Sequence, residues 1–138
     1  MVDPRPSIAD RRCTFKQLHK DGCFVIPNPW DVGSARFLQG LGFKALATTS
    51  SGFAWSQGRP DNGISLDMAL AHLRGMVAAT DLPVNADFES GFAVDAAGVA
   101  ESVRLAVGTG VAGLSIEDST GDAARPLYEL SVAVERIR

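Results

Sequence analysis

Cysteine, histidine and clustered basic residues are scarce in this 138-residue sequence. The two cysteines, Cys13 and Cys23, fit no zinc-ligand spacing and have no histidine pair nearby. They are interpreted as reduced, buried thiols of a cytoplasmic protein. No run of lysine or arginine is present and the net charge is -3, which argues against a nucleic-acid partner or an anionic membrane surface. The 13 basic residues still allow a small anionic ligand.

Long apolar segments and several common catalytic loops are also missing. No stretch of about 18 apolar residues occurs, and residues 1–12 are polar, so neither membrane insertion nor a secretory signal is predicted. The sequence contains no P-loop and no G-x-S-x-G nucleophile motif. Residues 108–113 match G-x-G-x-x-G, but they close a predicted helix and enter a strand, which is the reverse of a dinucleotide site.

Short apolar runs recur along the chain and predict buried strands. The hydrophobic content of 46% is enough for the core of one domain. A polar, glycine-rich stretch at 49–63 is predicted to be a loop. The runs bounded by glycine, proline or polar residues predict four strands, at 24–27, 44–48, 82–86 and 111–116.

Amphipathic helices are predicted between and after these strands. A lead-in helix is expected within about 7–21, where Thr14 and Gln17 fit a capping box and Gly22 ends the helix. The later helices follow from N-cap residues or apolar spacing: after Asp31, after Ser65, after Asp95, and around Leu130, Val134 and Ile137.

The alternation of strands and helices predicts an α/β fold with a parallel sheet, either an open doubly wound sheet or a barrel. Four βα units are half of those in a (β/α)8 TIM barrel, which needs about 250 residues. The last helix runs to Arg138 without a stop signal, which suggests a chain cut within or at the end of an element. We expect residues 1–138 to form one partial TIM-barrel domain with about its first four βα units.

Carboxylates follow the predicted strands. Asp87 and Glu89 have i, i+2 spacing, which places both side chains on one side of an extended segment. Glu117 ends the next strand, and Asp61 lies upstream. Strand ends carry the active sites of parallel α/β folds, and carboxylate oxygens suit Mg²⁺ or Mn²⁺, so a hard-cation site is predicted. The alternative is that Glu89 only solvates or caps a loop, and Asp118 fits either description.

Other polar residues carry weaker signals. Residues 48–53 follow the second strand with hydroxyls and main-chain N–H groups that could cradle a carboxylate or phosphoryl group. Such a cluster is also ordinary loop chemistry. Asp31 is interpreted as an N-cap, and His72 as a surface residue of a helix.

Five segments together form a family pattern: Asn28-Pro29-Trp30-Asp31, Thr49-Ser50-Ser51-Gly52-Phe53, Gly58-Arg59-Pro60-Asp61, Asp87-Phe88-Glu89-Ser90-Gly91-Phe92 and Gly113-Leu114-Ser115-Ile116-Glu117-Asp118. In this order and spacing, from about residue 24 to 138, they resemble the isocitrate lyase and phosphoenolpyruvate mutase superfamily. Its members are (β/α)8 barrels, usually homotetramers that exchange the eighth helix, and bind Mg²⁺ with a 2-oxo acid or its enolate. The resemblance implies Mg²⁺ or Mn²⁺ as cofactor, a small carboxylate substrate and a homo-oligomer.

The resemblance also implies roles for individual residues. Asp87 matches the direct metal ligand of the family. The carboxylates that match those holding metal-bound water are Asp61, Glu89 and Glu117. The residues that match the pocket for the substrate carboxylate are Ser51 and Gly52, with Thr49 and Phe53 flanking them.

The sequence departs from the family pattern at two places. Glu89 stands where the family usually has aspartate, which lengthens that side chain by one methylene. Residues 119–126 replace the family's mobile loop and contain neither the Lys-(Lys/Arg)-Cys-Gly-His motif of its lyases nor the Lys and Asn-Ser motif of its mutases. No catalytic residue is therefore assigned.

The expected function is that of a Mg²⁺-dependent enzyme acting on a small 2-oxo or hydroxy (di)carboxylate through a stabilised enolate, as a C–C lyase or decarboxylase. One alternative is phosphonomutase or other C–P bond chemistry. A second alternative, of a different class, is a non-catalytic half-barrel that needs self-association or a partner half to cover its sheet edges.

Overall fold

A computed structural model describes residues 5–138 of the chain. The described part contains six helices and three strands. In chain order these are α1 (Ile8–Leu18), α2 (Val32–Gly40), β1 (Leu46–Ala47), α3 (Ser50–Ser56), α4 (Leu66–Ala79), β2 (Val84–Asp87), α5 (Ala96–Val107), β3 (Gly113–Ser115) and α6 (Leu130–Arg136). None of these helices has the length and apolar character needed to span a bilayer.

The three strands form one parallel sheet in the order β1-β2-β3. Leu46 pairs with Val84 between β1 and β2, and Asp87 pairs with Ser115 between β2 and β3. Each crossover contains at least one helix, as parallel neighbours require. The predicted α/β class is confirmed, and the carboxyl ends of all three strands lie at one edge of the sheet.

The first predicted strand, at 24–27, is wrong as a sheet strand. One main-chain bond joins the segment to β1, from the Ala47 N–H to the Pro27 carbonyl at 3.0 Å. Pro27 and Pro29 have no N–H to donate, so a regular ladder cannot form there. The side chain of Asn28 substitutes in part, because its Nδ2 donates to the carbonyls of Ala47 at 3.2 Å and Thr48 at 3.4 Å.

Most helix starts occur where the N-cap residues predict them. Asp31 accepts from the Ser34 N–H at 2.6 Å, Ser65 caps α4, and Asp95 caps α5. The predicted start at Thr14 is wrong, because α1 already begins after Ser7 and Thr14 lies inside it. A complete capping box between Ser7 and Asp10 satisfies the first free N–H groups and fixes this earlier start.

Replacing Asp95 with alanine is expected to lower the free energy of unfolding by about 1 kcal/mol. Its Oδ1 accepts from the Gly98 N–H at 2.9 Å, and alanine would leave that donor without its partner. Urea unfolding measures the change. Glu129→Ala is the matched control, because Glu129 stands at the N-cap of α6 without any side-chain capping bond. Equal losses in both variants would contradict the capping role.

Helix α3 occupies part of the stretch predicted to be a loop at 49–63, so that prediction is wrong for 50–56. Thr49 caps the helix, with its Oγ1 accepting from the Gly52 N–H at 3.2 Å. Serine and glycine have weak helix propensity, which hides the helix in the sequence. Tertiary packing compensates, because Ala54 is fully buried against Ile64 and Ala69.

The main core lies between β2 and the helices α4 and α5. Alternation along β2 directs Val84, Ala86 and Phe88 into this core. Asn85 and Asp87 consequently lie on the opposite face of the strand, with partial exposure. The same alternation that builds the core therefore presents Asp87 at the end of the strand.

Helix α1 is joined to the rest of the domain by arginines. Arg11 is buried and donates to the carbonyls of Val77 and Thr80, at the end of α4. Arg11 lies on the inner face of α1, so Cys13, two residues later, lies on the outer face of the helix and is exposed. Cys23 is also exposed, so the prediction of buried cysteines is wrong.

Candidate metal centre

The four carboxylates predicted for the metal site come from three loops that follow β2, β3 and α3. Asp87 ends β2 and Glu89 follows it, Glu117 lies just after β3, and Asp61 lies in the loop after α3. Burial raises the pKa of Glu89 to about 7, and the charges of Asp87, Asp61 and Glu117 add to this shift in that order. The structure therefore brings all four carboxylates within electrostatic reach of one another.

Glu89 has an unusual environment for a carboxylate. It is 6% exposed, and its Oε1 is buried without a hydrogen-bond partner. Its backbone has φ of +47°, in the left-handed region, and its carbonyl accepts from the Glu117 N–H at 2.8 Å. Such a backbone costs about 1–3 kcal/mol and persists where surrounding contacts impose it, often at a functional site.

The electrostatics of the cluster fit a hard cation. The pKa of Glu117 is also raised, first by burial and then by the neighbouring Asp87, Asp61 and Asp118. Like charges held together, with one buried oxygen unpaired, are stabilised by a divalent ion. Within residues 5–138, no three His, Cys, Asp or Glu side chains lie close enough to bind one ion directly. At most two of these side chains could therefore contact one ion directly, and water would have to fill its other coordination positions.

The Asp87 carboxylate is oriented by Ser50, which lies in the polar 48–53 segment but received no role of its own from the sequence. Its Oδ2 accepts from the Ser50 N–H at 2.8 Å and from the Ser50 Oγ at 2.9 Å. The Asp87 N–H donates to Thr48 Oγ1 at 2.9 Å. The bonds from Ser50 occupy Oδ2, whereas Oδ1 accepts no hydrogen bond from residues 5–138. The only sequence signal for Thr48 and Ser50 is that both follow the apolar run of β1, the strand that neighbours β2.

The residues predicted to hold a substrate carboxylate lie together at the start of α3. The Oγ atoms of Thr49 and Ser51 are 3.3 Å apart. An added Cβ at Gly52 would lie 2.7 Å from Thr49 Cγ2 and 3.2 Å from Trp30 Cβ, so this position requires glycine. Ser51 and Gly52 also line an open groove with Trp30. The proximity of Ser50 to Asp87 places this turn beside the carboxylates.

The partly buried Phe53 packs on His72. Their rings are stacked with centroids 3.9 Å apart and an interplanar angle of 14°. The prediction that His72 is a surface residue holds only in part, because the residue is half-buried and α3, which the sequence did not reveal, covers one face of its ring. The His72 Nε2 is buried without a hydrogen-bond partner. Burial lowers the pKa of His72 to about 4, and the charge of Asp31 opposes this shift.

His72 should make stability depend on pH. Its pKa is about 4 in the folded chain and about 6.5 when unfolded, so the unfolded state binds more protons between these values. Its contribution, roughly 2–3 kcal/mol, is present above pH 6.5 and is lost as the pH falls towards 4. We expect His72→Phe to remove this slope in urea unfolding measured from pH 4 to 7.

The pH dependence of the variant must be compared with that of the parent, because Glu89 changes the free energy of unfolding with pH in the opposite direction to His72. With its pKa raised to about 7, Glu89 contributes stability that is lost as the pH rises through that value. The exposed His19 supplies the control through His19→Gln. If His72→Phe and His19→Gln change the pH slope equally, the burial of His72 is not its cause.

The loop after β3 closes on itself. Ser119 and Leu127 form an antiparallel bridge, and the Tyr128 N–H donates to the Asp118 carbonyl at 2.9 Å. A Cβ on Gly121 would lie 3.6 Å from the side chain of Asn62, so the tip of the loop reaches the segment that carries Asp61. The loop therefore borders the carboxylate cluster, and the Asp118 side chain remains exposed.

Comparison with known proteins gives the family. A family model described as phosphoenolpyruvate phosphomutase matches residues 15–138. An uncharacterised protein of Mycobacterium tuberculosis is 36% identical over 125 residues, which are 90% of this chain and 46% of that protein. The 2-methylisocitrate lyase of Escherichia coli is 35% identical over 106 residues, which are 75% of this chain and 36% of the lyase. The chain thus spans half or less of the length of these relatives.

A solved structure shows the corresponding fold. A Burkholderia cenocepacia protein described as a lyase/mutase is 51% identical and superposes with a TM-score of 0.91, over 94% of this chain and 47% of that protein. The match confirms the TIM-barrel type, with this chain as about half of the barrel. The chain therefore belongs to the isocitrate lyase and phosphoenolpyruvate mutase superfamily, as the order of its motifs indicates.

Proposed function

We propose that this chain carries the metal-binding half of a Mg²⁺-dependent enzyme that acts on a small 2-oxo or hydroxy (di)carboxylate. The observation that carries the proposal is the carboxylate cluster, in which Glu89 is buried with an unpaired oxygen beside three further acids. A protein interior tolerates such a group when a cation compensates it. Mn²⁺ would fit the same oxygen ligands.

In this proposal, Asp87 binds the ion through the carboxylate oxygen that Ser50 leaves free. Asp61, Glu89 and Glu117 hold its water ligands. When bound, the ion supplies Lewis-acid stabilisation of negative charge on a substrate oxygen. The protein residues keep the acids in place and exclude bulk water from the buried side of the cluster.

The substrate carboxylate is proposed to bind at the first turn of α3. The Ser51 Oγ can donate to it, and the Gly52 N–H can do so by exchanging its bond to Thr49 Oγ1 for the substrate, with Thr49 and Phe53 as neighbours. Gly52 has no room for a side chain, because Thr49 and Trp30 fill the space beside it, so the turn that carries these donors is tightly packed. The stacking of Phe53 on His72 fixes the helix that presents these donors.

The reaction class rests on the relatives. The similarity to 2-methylisocitrate lyase favours C–C bond cleavage, and the phosphomutase description of the family model supports C–P chemistry as the alternative. The self-bonded loop at 119–128 lacks the lyase and mutase motifs. We therefore assign the metal-assisted half-reaction to these residues and assign no catalytic acid.

Titration calorimetry with Mn²⁺ and Mg²⁺ tests the proposed site. We expect one ion to bind per chain, since the four acids form one cluster. A panel of 2-oxo and 2-hydroxy dicarboxylates, assayed with Mg²⁺ for pyruvate release and repeated with EDTA, tests the reaction. Absence of metal binding contradicts the proposal, and binding without turnover favours a non-catalytic role.

A second candidate function is that of a half-barrel that associates with another copy or with a partner half. Within residues 5–138, no strand pairs with the outer edge of β3, and the nearby Leu130 and Ile137 are 78% and 69% exposed. Open parallel edges and apolar residues need cover. Sedimentation distinguishes the cases, because a strictly monomeric species that unfolds in two states contradicts this function.

A further inference from the structure

Arg136 is a buried arginine that joins α6 to the loop after β2. It is 6% exposed. Its guanidinium donates to the carbonyl of Ala93 at 2.7 Å and also to the carbonyls of Ser90 and Val94. All three acceptors belong to the loop that begins at Glu89. The Arg136 side chain therefore binds three carbonyls of the loop that carries Glu89.

The same guanidinium contacts the end of the loop after β3. It lies over the ring of Tyr128, with its carbon 4.0 Å from the ring centroid. The Tyr128 N–H donates to the Asp118 carbonyl, next to Glu117. Arg136 thus links the two loops that carry Glu89 and Glu117.

The loop after β2 needs external support because its backbone is strained. Glu89 and Phe92 have φ of +47° and +56°, and Gly91 between them has φ of +81°. Positive φ at the two residues other than glycine costs about 1–3 kcal/mol each and persists when surrounding contacts impose it. The bonds from Arg136 begin one residue after Glu89 and extend to Val94, so they span the strained segment.

We propose that Arg136 is a positioning residue for the metal centre, acting through the loop at 90–94 to hold Glu89 in its buried, left-handed conformation. This inference rests on the proposed function, because it assigns Glu89 to a metal site. The planar fork of arginine can reach several carbonyls at once, whereas lysine offers a point charge. Charge alone is therefore insufficient at this position.

Arg11 provides a matched control within the same chain. It is 7% exposed and likewise donates to main-chain carbonyls, those of Val77 and Thr80 at the end of α4. These acceptors belong to no loop that carries a cluster carboxylate. Replacing Arg11 therefore has a comparable effect on packing and hydrogen bonding without disturbing the Glu89 loop.

The test compares Arg136→Lys with Arg11→Lys in the 138-residue chain. Mn²⁺ affinity is measured from the EPR signal of free Mn²⁺, and stability from the midpoint of thermal unfolding. We expect both variants to lose stability, but only Arg136→Lys to lose Mn²⁺ affinity, by about tenfold, as for other residues that orient metal ligands. Equal Mn²⁺ affinities in the two variants would overturn the positioning role.

Tyr128 supplies a second test that leaves the arginine intact. Tyr128→Leu removes the ring beneath the guanidinium and is expected to weaken Mn²⁺ binding by a few-fold, whereas Tyr128→Phe keeps the ring and the affinity. If Arg136→Lys does not fold, the two Tyr128 variants test the positioning role instead. Equal Mn²⁺ affinities of Tyr128→Leu and Tyr128→Phe would count against it. If the parent chain binds no Mn²⁺, the proposed function fails and the inference falls with it. If the parent binds but the variants match their controls, only the inference fails.

Discussion

Replacing Asp87 with alanine is expected to lower the affinity for Mg²⁺ and Mn²⁺ by more than about 100-fold, because it removes the proposed direct ligand. The strand alternation that buries Phe88 points Asp87 towards the opposite face, and Ser50 orients its carboxylate. In the proposed site the three other acids hold water ligands and not the ion itself, so none of them is expected to replace Asp87. Titration calorimetry with Mn²⁺ measures the loss directly.

Two further variants calibrate this result. Ser50→Ala removes one of the two bonds to Asp87 Oδ2 and should weaken Mn²⁺ binding by about tenfold, the usual effect of removing a residue that orients a metal ligand. Asp118→Ala removes a nearby exposed carboxylate and should leave the affinity within about twofold, because it touches no ligand. Unchanged binding in Asp87→Ala would exclude Asp87 as the ligand.

Replacing Phe88 with alanine is expected to destabilise the fold by about 3–5 kcal/mol. Phe88 is completely buried, packs in the main core and makes an edge-to-face contact with Phe92, with ring centroids 5.0 Å apart. The predicted loss is a large part of the 5–15 kcal/mol by which domains are typically stable. Urea unfolding, with the m-value compared between parent and variant, measures the change.

The control for Phe88 is Phe37, which is 67% exposed on α2. Phe37→Ala leaves no cavity and should cost less than about 1 kcal/mol. Because Phe88 lies between Asp87 and Glu89, its replacement should also weaken Mn²⁺ binding at temperatures where the variant is still folded. Similar losses of stability in the two phenylalanine variants would refute the assignment of Phe88 to the core.

The parts of the fold that the sequence predicts correctly are those set by local chemistry. Asp31, Ser65 and Asp95 cap helices because each side chain bonds an N–H within three residues of itself. The errors arise where another local or distant group competes. Ser7 begins α1 before Thr14 can, and prolines prevent the 24–27 segment from joining the sheet.

In the candidate site, too, features set by local sequence are predictable and features set by distant residues are not. The direction of Asp87 follows from the period of two along β2, which the sequence contains. The left-handed backbone of Glu89 and the bond from Arg136 to Ser90, which joins residues 46 positions apart, have no local sequence pattern. Likewise, His72 is covered only because α3 folds over it, and the weak helix propensity of α3 conceals that packing.

The proline-containing segment beside β1 also determines where this sheet can grow. Pro27 and Pro29 offer no N–H, and the Asn28 side chain already occupies carbonyls of β1, so an incoming strand would find few partners on that side. The β3 side has no such obstruction among the described residues. Among the described residues, β3 therefore offers the regular edge of the sheet, and a closed barrel would join the other side through the 24–29 segment rather than through β1 itself.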